Sequence, residues 1–285
     1  MLVKAVIDQS VTMRRLYPQE SVLKPYINYY WVVDNVDPFT QAKAALVDFP
    51  SLCPELLIGL QGSLQVSYKG RSHIIRGSVL FPFVDERIIV DPQKIERVVL
   101  VKFKPLGLAA VLPFCGATAK QLIHQPIVSA SALFGAPLEI LSESLFATQG
   151  GHLVEILDSW FKHQLDARKN GLLADLGDEM SPAMSVAELR QHAGFSCSSL
   201  ERYFKKETAM SPKQFLMLNR FRHVMEEIAT GTSHDWFDYV VKYGYYDQNH
   251  FIKEVKRYSG YTPAALLALD FVRPYRPEAP GEFIR

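Results

Sequence analysis

Cysteine is scarce in this sequence, and so is net charge. The three cysteines in 285 residues, Cys53, Cys115 and Cys197, are odd in number and far apart, which indicates neither a disulfide framework nor a zinc site. Cys53 and Cys115 are better explained as buried inert thiols than as redox or alkylation sensors. The 31 basic and 30 acidic residues leave a net charge of +1, so the whole molecule is not a general polyanion binder. Any contact with nucleic acid must come from a local face.

Long apolar runs are also missing. The longest uncharged apolar stretch, residues 105–119, is broken by Pro113 and two glycines, and it is shorter than the roughly 20 apolar residues that a membrane-spanning helix needs. The first residues contain only a short apolar run, interrupted by Asp8, without the apolar core of a signal peptide. We therefore expect a cytoplasmic protein that has no membrane partner.

No catalytic or cofactor-binding signature is present. The sequence lacks a Gly-x-Ser-x-Gly elbow, a phosphate-binding loop and a dinucleotide fingerprint. His73 stands alone at a predicted strand edge, because no second histidine or glutamate follows at the spacing of a metal site. We therefore predict no cofactor, no metal and no enzymatic activity.

The chain up to about residue 105 is built of short β-prone runs separated by turn residues. The runs are NYYWVV, ELLIGLQG, LQVSYKG, SVLFPF, RIIV and RVVLVKF, which predict an antiparallel sheet or barrel. Hairpin turns are predicted at residues 61–63 and 69–71. Leu64, Val66 and Tyr68 alternate with polar residues, as in a half-buried strand.

Helical spacing replaces the β pattern after Pro105. Predicted helices cover residues 106–112, 133–146 and 152–165, and the last could pack on its own sheet or pair across a dimer. Charged residues then mark a boundary, which divides the chain into residues 1–167, 168–275 and a tail at 276–285. The predicted fold class is α+β: an N-terminal antiparallel β-sheet or barrel with trailing helices, followed by an all-α domain.

Two stretches of the C-terminal domain resemble each other. They are SVAELRQHAGFSCSSLERYFKK, from residue 185, and SHDWFDYVVKYGYYDQNHFIKEVKR, from residue 233. Each predicts a short helix, a glycine-aromatic turn and a second helix, and a long helix between Ser211 and Gly231 joins them. Leu200 with Phe204, and Phe251 with Val255, are the predicted core pairs of the two second helices.

The second stretch and its continuation resemble the DNA-binding domain of the AraC/XylS family of bacterial transcription regulators. The matching positions are Gly244, Tyr245, Asp247, Gln248, Phe251, Lys253, Lys256, Arg257, Gly260, Thr262 and Pro263, and the likeness covers roughly residues 170–270. Three positions depart from it: Arg190 and Val240 replace a small alanine, and Val255 replaces a phenylalanine. The resemblance implies a sequence-specific regulator of transcription, with double-stranded DNA, RNA polymerase and a second copy of the chain as candidate partners.

The resemblance also assigns roles to exposed residues. Base-reading positions fall on Ser198, Glu201, Arg202, Gln248, Asn249, His250, Ile252 and Lys253. Phosphate contacts fall on Lys205, Lys206, Lys256 and Arg257. From residue 185 to 263 there are eleven basic and nine acidic residues, a surplus of only +2, so non-specific affinity should be modest.

The front part of the chain, including YPQESVLKPYINYYWVVD, resembles the N-terminal β-rich sensor domain of a subgroup of these regulators. A small-molecule effector could lie among Tyr29, Trp31, Phe81, Phe83 and Phe103, with Tyr26 and Tyr30, although a core role for these aromatic residues is favoured. The alternative function is a ligand-binding or enzymatic barrel whose helical domain is a protein-interaction module.

Overall fold

The computed structural model describes residues 12–36, 46–82, 86–105, 107–112, 122, 125, 127–148, 152–165, 180–208, 210–230 and 235–267. Strands dominate the first part of the chain and helices the second, which confirms the predicted α+β class. The predicted domain boundary near residue 168 lies outside the described residues and stays a prediction. Within the described ranges, none of the helices has both the length and the apolar character to cross a membrane.

The described strands form one antiparallel sheet. They are β1 (Thr12–Leu16), β2 (Ile27–Val36), β3 (Leu46–Asp48), β4 (Glu55–Tyr68), β5 (Arg71–Phe81), β6 (Ile88–Phe103) and β7 (Val128–Ser129). Their order across the sheet is β1-β2-β6-β4-β5-β7, and β3 pairs with β6 outside this path. The long strand β6 is therefore the centre of the sheet, since β2, β3 and β4 all pair with it.

One of the two predicted hairpin turns is present. Lys69 and Gly70 connect β4 to β5 with φ of 48° and 73°, the pair of positive values that a two-residue type I′ turn needs. The alternation of Leu64 and Val66, which are buried, with the exposed Gln65 is also confirmed.

The other predicted turn, at residues 61–63, is wrong. ELLIGLQG and LQVSY are one strand, β4, and its pairing with both β5 and β6 continues on either side of Gly62. The register shifts at this point, and Gly59 and Gly62 have φ of 60° and 125°. Glycine therefore lets the chain bulge within the ladder and continue, where we had predicted a reversal of direction. RIIV and RVVLVKF are likewise one strand, β6.

Four described helices of the front region pack on the sheet: α1 (Gly107–Val111), α2 (Ala130–Phe134), α3 (Ala136–Ala147) and α4 (Leu153–Gln164). They cover one face of the sheet, where Tyr30 and Val101 share a core with Leu157 and Phe161 of α4. The apolar stripe of α4 is thus buried within its own chain, as one of the two alternatives predicted.

The C-terminal part is all helical. Its described helices are α5 (Val186–Ala193), α6 (Cys197–Glu207), α7 (Pro212–Thr230), α8 (Trp236–Lys242), α9 (Gln248–Ser259) and α10 (Pro263–Leu267). The short helix predicted near residues 172–176 lies outside the described residues. Both predicted core pairs are buried in one cluster: Leu200 with Phe204, and Phe251 with Val255.

Candidate nucleic-acid interface

The first helix-turn-helix unit consists of α5 and α6, and its sequence sets each helix end. Ser185 begins α5 with a capping box: its hydroxyl accepts from Glu188 N at 3.2 Å, and the Glu188 carboxylate accepts from Ser185 N at 2.7 Å. These hydrogen bonds lower the pKa of Glu188. Gly194 ends α5 in the left-handed region, and Ser196 caps α6 by accepting from Ser199 N at 3.2 Å.

The second unit, α8 and α9, repeats this geometry. Gly244 has φ of 67°, close to the 65° of Gly194. The amide of Tyr245 donates to Val240 O at 3.0 Å, just as that of Phe195 donates to Arg190 O at 3.2 Å. The two turns therefore have the same hydrogen bond at positions that the sequence repeat aligns, which confirms the repeat.

The N-terminus of α9 carries the polar cluster Asp247, Gln248, Asn249 and His250. Asp247 caps α9, because its carboxylate accepts from His250 N at 2.7 Å. The side chains of Gln248 and Asn249 are exposed beyond it. Two amide side chains at the exposed start of a helix fit the edge of adenine, which pairs with Asn or Gln in the major groove.

Most of the predicted base-reading residues are exposed, and two are partly withdrawn. Glu201 is half-buried and pairs with Lys205 at 3.2 Å, one helical turn later. Ile252 is half-buried and packs against the core cluster, so it is less exposed than predicted. The remaining members are exposed: Ser198, Arg202, Gln248, Asn249, His250 and Lys253.

The four cations predicted to contact phosphates are exposed at the C-terminal ends of α6 and α9. They are Lys205, Lys206, Lys256 and Arg257. At these positions they also interact favourably with the negative ends of the helix dipoles. Their long side chains and exposure suit contacts with a phosphate backbone, which need charge more than fixed geometry.

A buried ion pair, not predicted from the sequence, joins the long helix α7 to α9. Arg220 donates from Nε and Nη2 to the two carboxylate oxygens of Glu254, at 2.9 and 2.8 Å. Glu254 is only 4% exposed, and the Arg220 guanidinium lies 4.4 Å from the centroid of the Tyr245 ring. Burial alone would lower the pKa of Arg220, but the hydrogen bonds and charge of Glu254 raise it above its usual value. The one sequence signal was a glutamate beside Val255, on the apolar side of an amphipathic helix.

The exposed side chain of His250 lies close to this pair. Its Nε2 lies 3.9 Å from the Glu254 carboxylate, and its ring stands edge-on to Tyr245 at 5.3 Å. The ring is still exposed. At 3.9 Å this separation exceeds hydrogen-bond distance, so His250 lies beside the Arg220–Glu254 pair without a hydrogen bond to Glu254.

A second polar network joins α7 to α8. Glu227 accepts from Lys242 Nζ at 2.8 Å and from the hydroxyl of Tyr243. Nearby, Arg222 lies with Nη2 2.9 Å from His223 Nε2. Burial, together with the charges of Arg222 and Lys242, lowers the pKa of His223 to about 4. This histidine is therefore neutral at pH 7, and its ring nitrogen can accept the hydrogen bond.

The five aromatic residues predicted for an effector pocket do not share one face of the sheet. Phe103 is fully buried on the helix-covered face, edge-on to Phe161 at 5.8 Å, so it is a core residue and cannot line a pocket with the others. Tyr29 and Trp31 alternate with Tyr30 and point to the opposite face. Phe81 packs against the core of that opposite face. Phe83 lies outside the described residues.

The face that carries Tyr29 and Trp31 also carries charge. Arg15, directly across from Trp31, has its guanidinium 4.8 Å from the Tyr29 ring and 5.4 Å from the Trp31 ring. Lys102 and Glu55 form a buried ion pair in the same row of side chains. Burial would raise the pKa of Glu55, but the charge of Lys102 keeps it below its usual value. This arrangement was not predicted, because the residues come from separate strands.

Comparisons with known proteins agree with the geometry of the helical part. Residues 189–268 match the family model of a helix-turn-helix domain. Over 101 residues the chain is 30% identical to the HTH-type transcriptional activator RhaS of Escherichia fergusonii, a match that covers 34% of this chain and 35% of that protein. The aligned part thus spans about a third of the length of this curated relative.

Among solved structures, the chain is similar to ToxT from Vibrio cholerae. One such structure, of unsaturated fatty acid bound wild-type ToxT, has a TM-score of 0.41 and 10% identity over 93% of this chain and 97% of that one. The Clostridium difficile EutQ protein has a TM-score of 0.25 and 14% identity over 33% of this chain and 61% of that one.

The C-terminal part of this chain is therefore a helix-turn-helix domain. Its two units, their shared turn geometry and the family-model match over residues 189–268 agree on this class of domain.

Proposed function

We propose that this protein regulates transcription by binding a specific DNA sequence through α6 and α9. The observation that carries the proposal is the duplicated unit, in which two second helices each present exposed polar and cationic side chains while their apolar sides are buried in one core. In helix-turn-helix proteins, the second helix enters the major groove and its N-terminal residues contact base edges. Two such helices in one chain can read two groove segments.

The proposed roles differ along each helix. Arg202 on α6 suits guanine acceptors, and Gln248 and Asn249 on α9 suit adenine. The cations at the helix ends, with Lys256 as the example, contact phosphates and contribute affinity without sequence preference.

Selection of bound fragments from genomic DNA tests this function. The full-length protein is mixed with a fragment library at several salt concentrations, and the recovered fragments are sequenced. We expect a shared sequence motif, retained as salt rises, because base contacts survive better than phosphate contacts. Recovery of fragments without a shared motif at every salt concentration would refute sequence-specific binding and favour a protein-interaction role for the helical domain.

We propose further that the front domain modulates DNA binding and that an effector binds on the face with Arg15 and Trp31. Trp31 is 8% exposed, and neither its indole N–H nor the Nε of Arg15 has a hydrogen-bond partner in the described structure. Unpaired buried donors are costly, and an acceptor-rich group such as a carboxylate would satisfy both.

A thermal-shift screen with small carboxylic acids tests the effector site. A ligand should raise the Tm of the wild-type protein and leave that of Arg15→Met unchanged. Equal shifts in both proteins would contradict this site.

Sedimentation at micromolar concentration tests the other route, regulation by dimerisation, which would be refuted by a monomer at all concentrations.

A further inference from the structure

Among the described residues, members of two segments of the front domain contact the helical domain. Phe49 and Leu52, which lie between β3 and β4, are 1% and 0% exposed, and both belong to the core cluster of the helix-turn-helix domain. The second segment is Arg87, immediately before β6. The first contact is apolar packing, whereas the second is a charged group at a helix end.

Arg87 contacts the C-terminus of α9. Its Nη1 donates to the carbonyl of Ser259, the last residue of α9, at 3.3 Å. Its guanidinium also lies 4.7 Å from the centroid of the Tyr261 ring. The last carbonyl groups of a helix lack partners within the helix, so a cation there satisfies an acceptor and interacts favourably with the helix dipole.

Gly260 leaves open the space that the Arg87 guanidinium occupies. It caps α9 with φ of 78°, in the left-handed region. A Cβ atom at this position would lie 2.4 Å from Arg87 Nη1. The absence of a side chain on Gly260 thus serves two purposes: it allows the left-handed cap, and it leaves room for the guanidinium of the front domain.

The contact leaves the opposite end of α9 free. Gln248, Asn249 and Lys253 remain exposed while Arg87 is in place at Ser259. Arg87 therefore holds the helix without covering the side chains proposed to read bases. A contact that fixes α9 while these side chains stay exposed should strengthen DNA binding, whereas a contact that covered them would weaken DNA binding.

We propose that Arg87 is a positioning residue for DNA recognition, through which the front domain fixes the C-terminus of α9. The expected effect on DNA binding rests on the proposed function, but the contact of Arg87 with the C-terminus of α9 does not. Because Arg87 immediately precedes β6, the central strand of the sheet, a change in the front domain can reach α9 through this residue.

The cap is tested without DNA by hydrogen–deuterium exchange on the full-length chain. We compare wild type, Arg87→Ala, Arg87→Lys and a matched control, Arg76→Ala, which removes an exposed arginine from β5 of the same domain. Loss of the cap should speed exchange in the last turn of α9 by about two- to fivefold in Arg87→Ala. The effect should be smaller in Arg87→Lys and absent in Arg76→Ala. Equal exchange in wild type and Arg87→Ala would overturn the proposal.

The positioning role is tested with the DNA sequence that the wild type selects. Arg87→Ala should bind it about two- to fivefold more weakly, with the loss of footprint protection confined to the part contacted by the second unit. Unchanged or tighter binding, or uniform loss across the footprint, would overturn positioning. A wild type that selects no sequence would instead refute the proposed function, and the exchange difference would still decide whether Arg87 caps α9.

Discussion

The buried Arg220–Glu254 pair should make a large contribution to the stability of the helical domain. Glu254→Gln removes the negative charge and one of two acceptor oxygens from a site that is 4% exposed, and it leaves the Arg220 guanidinium stacked on Tyr245 without its counter-charge. Removing one partner of a buried ion pair costs about 3–5 kcal/mol. Gln keeps one acceptor, and Arg220 is partly accessible to water with 16% of its side chain exposed. We therefore expect a loss of about 2–3 kcal/mol in the free energy of unfolding.

Urea unfolding at pH 7, followed by the helical circular dichroism signal, measures this loss. The matched control is Glu226→Gln, because Glu226 also pairs with an arginine of α7, at 3.0 Å, but is 40% exposed. That exposed pair should contribute less than about 0.5 kcal/mol. The double variant Arg220→Met with Glu254→Leu should recover most of the stability, since an apolar pair needs no counter-charge. Equal effects of Glu254→Gln and Glu226→Gln would show that burial does not set the contribution of the Arg220–Glu254 pair.

Three further predictions concern specificity, the turns and pH. Arg202→Ala and Gln248→Ala should each reduce the preference for particular bases by about 1–3 kcal/mol, whereas Lys256→Ala should weaken binding to all DNA sequences alike. Competition binding with single-base variants of the DNA site distinguishes these effects. A uniform loss of affinity from Gln248→Ala would contradict its proposed contact with a base. Gly244→Ala should lower the free energy of unfolding by about 1–2 kcal/mol, because φ is 67°; an unchanged urea midpoint would count against this. His223 takes up a proton near pH 6.5 in the unfolded chain, but only near pH 4 in the folded chain. The free energy of unfolding should therefore fall as the pH drops from 6.5 to 4. The loss should be less than about 1 kcal/mol, because the ring is partly exposed. His223→Gln should remove that slope, and an unchanged slope would exclude His223 as its cause.

Local sequence patterns predicted the helical domain well, because each feature depends on neighbouring residues. Gly194 and Gly244 predicted the two turns, and Leu200 with Phe204 predicted the core side of α6. The turn at residues 61–63 was predicted wrongly because Gly62 suits a bulge as well as a turn, and only the partner strands decide between them.

Features that join distant parts of the chain could not be predicted. Arg220 and Glu254 are 34 residues apart, and Arg87 and Ser259 are 172 apart. No sequence spacing indicates that either pair is in contact. Each contact depends on how separate elements of the fold pack together: α7 with α9 for the first pair, and the sheet with α9 for the second. The same limit applies to Phe103, whose face of the sheet is set by strand register rather than by its aromatic character.

Footprinting of the selected DNA sequence tests whether two helices of one chain read DNA. Wild-type protein should protect two segments about one helical turn, or roughly 10 base pairs, apart. Arg202→Ala should weaken protection of one segment and Gln248→Ala that of the other. A single protected segment, or equal weakening of both segments by each variant, would contradict the reading of DNA by both helices.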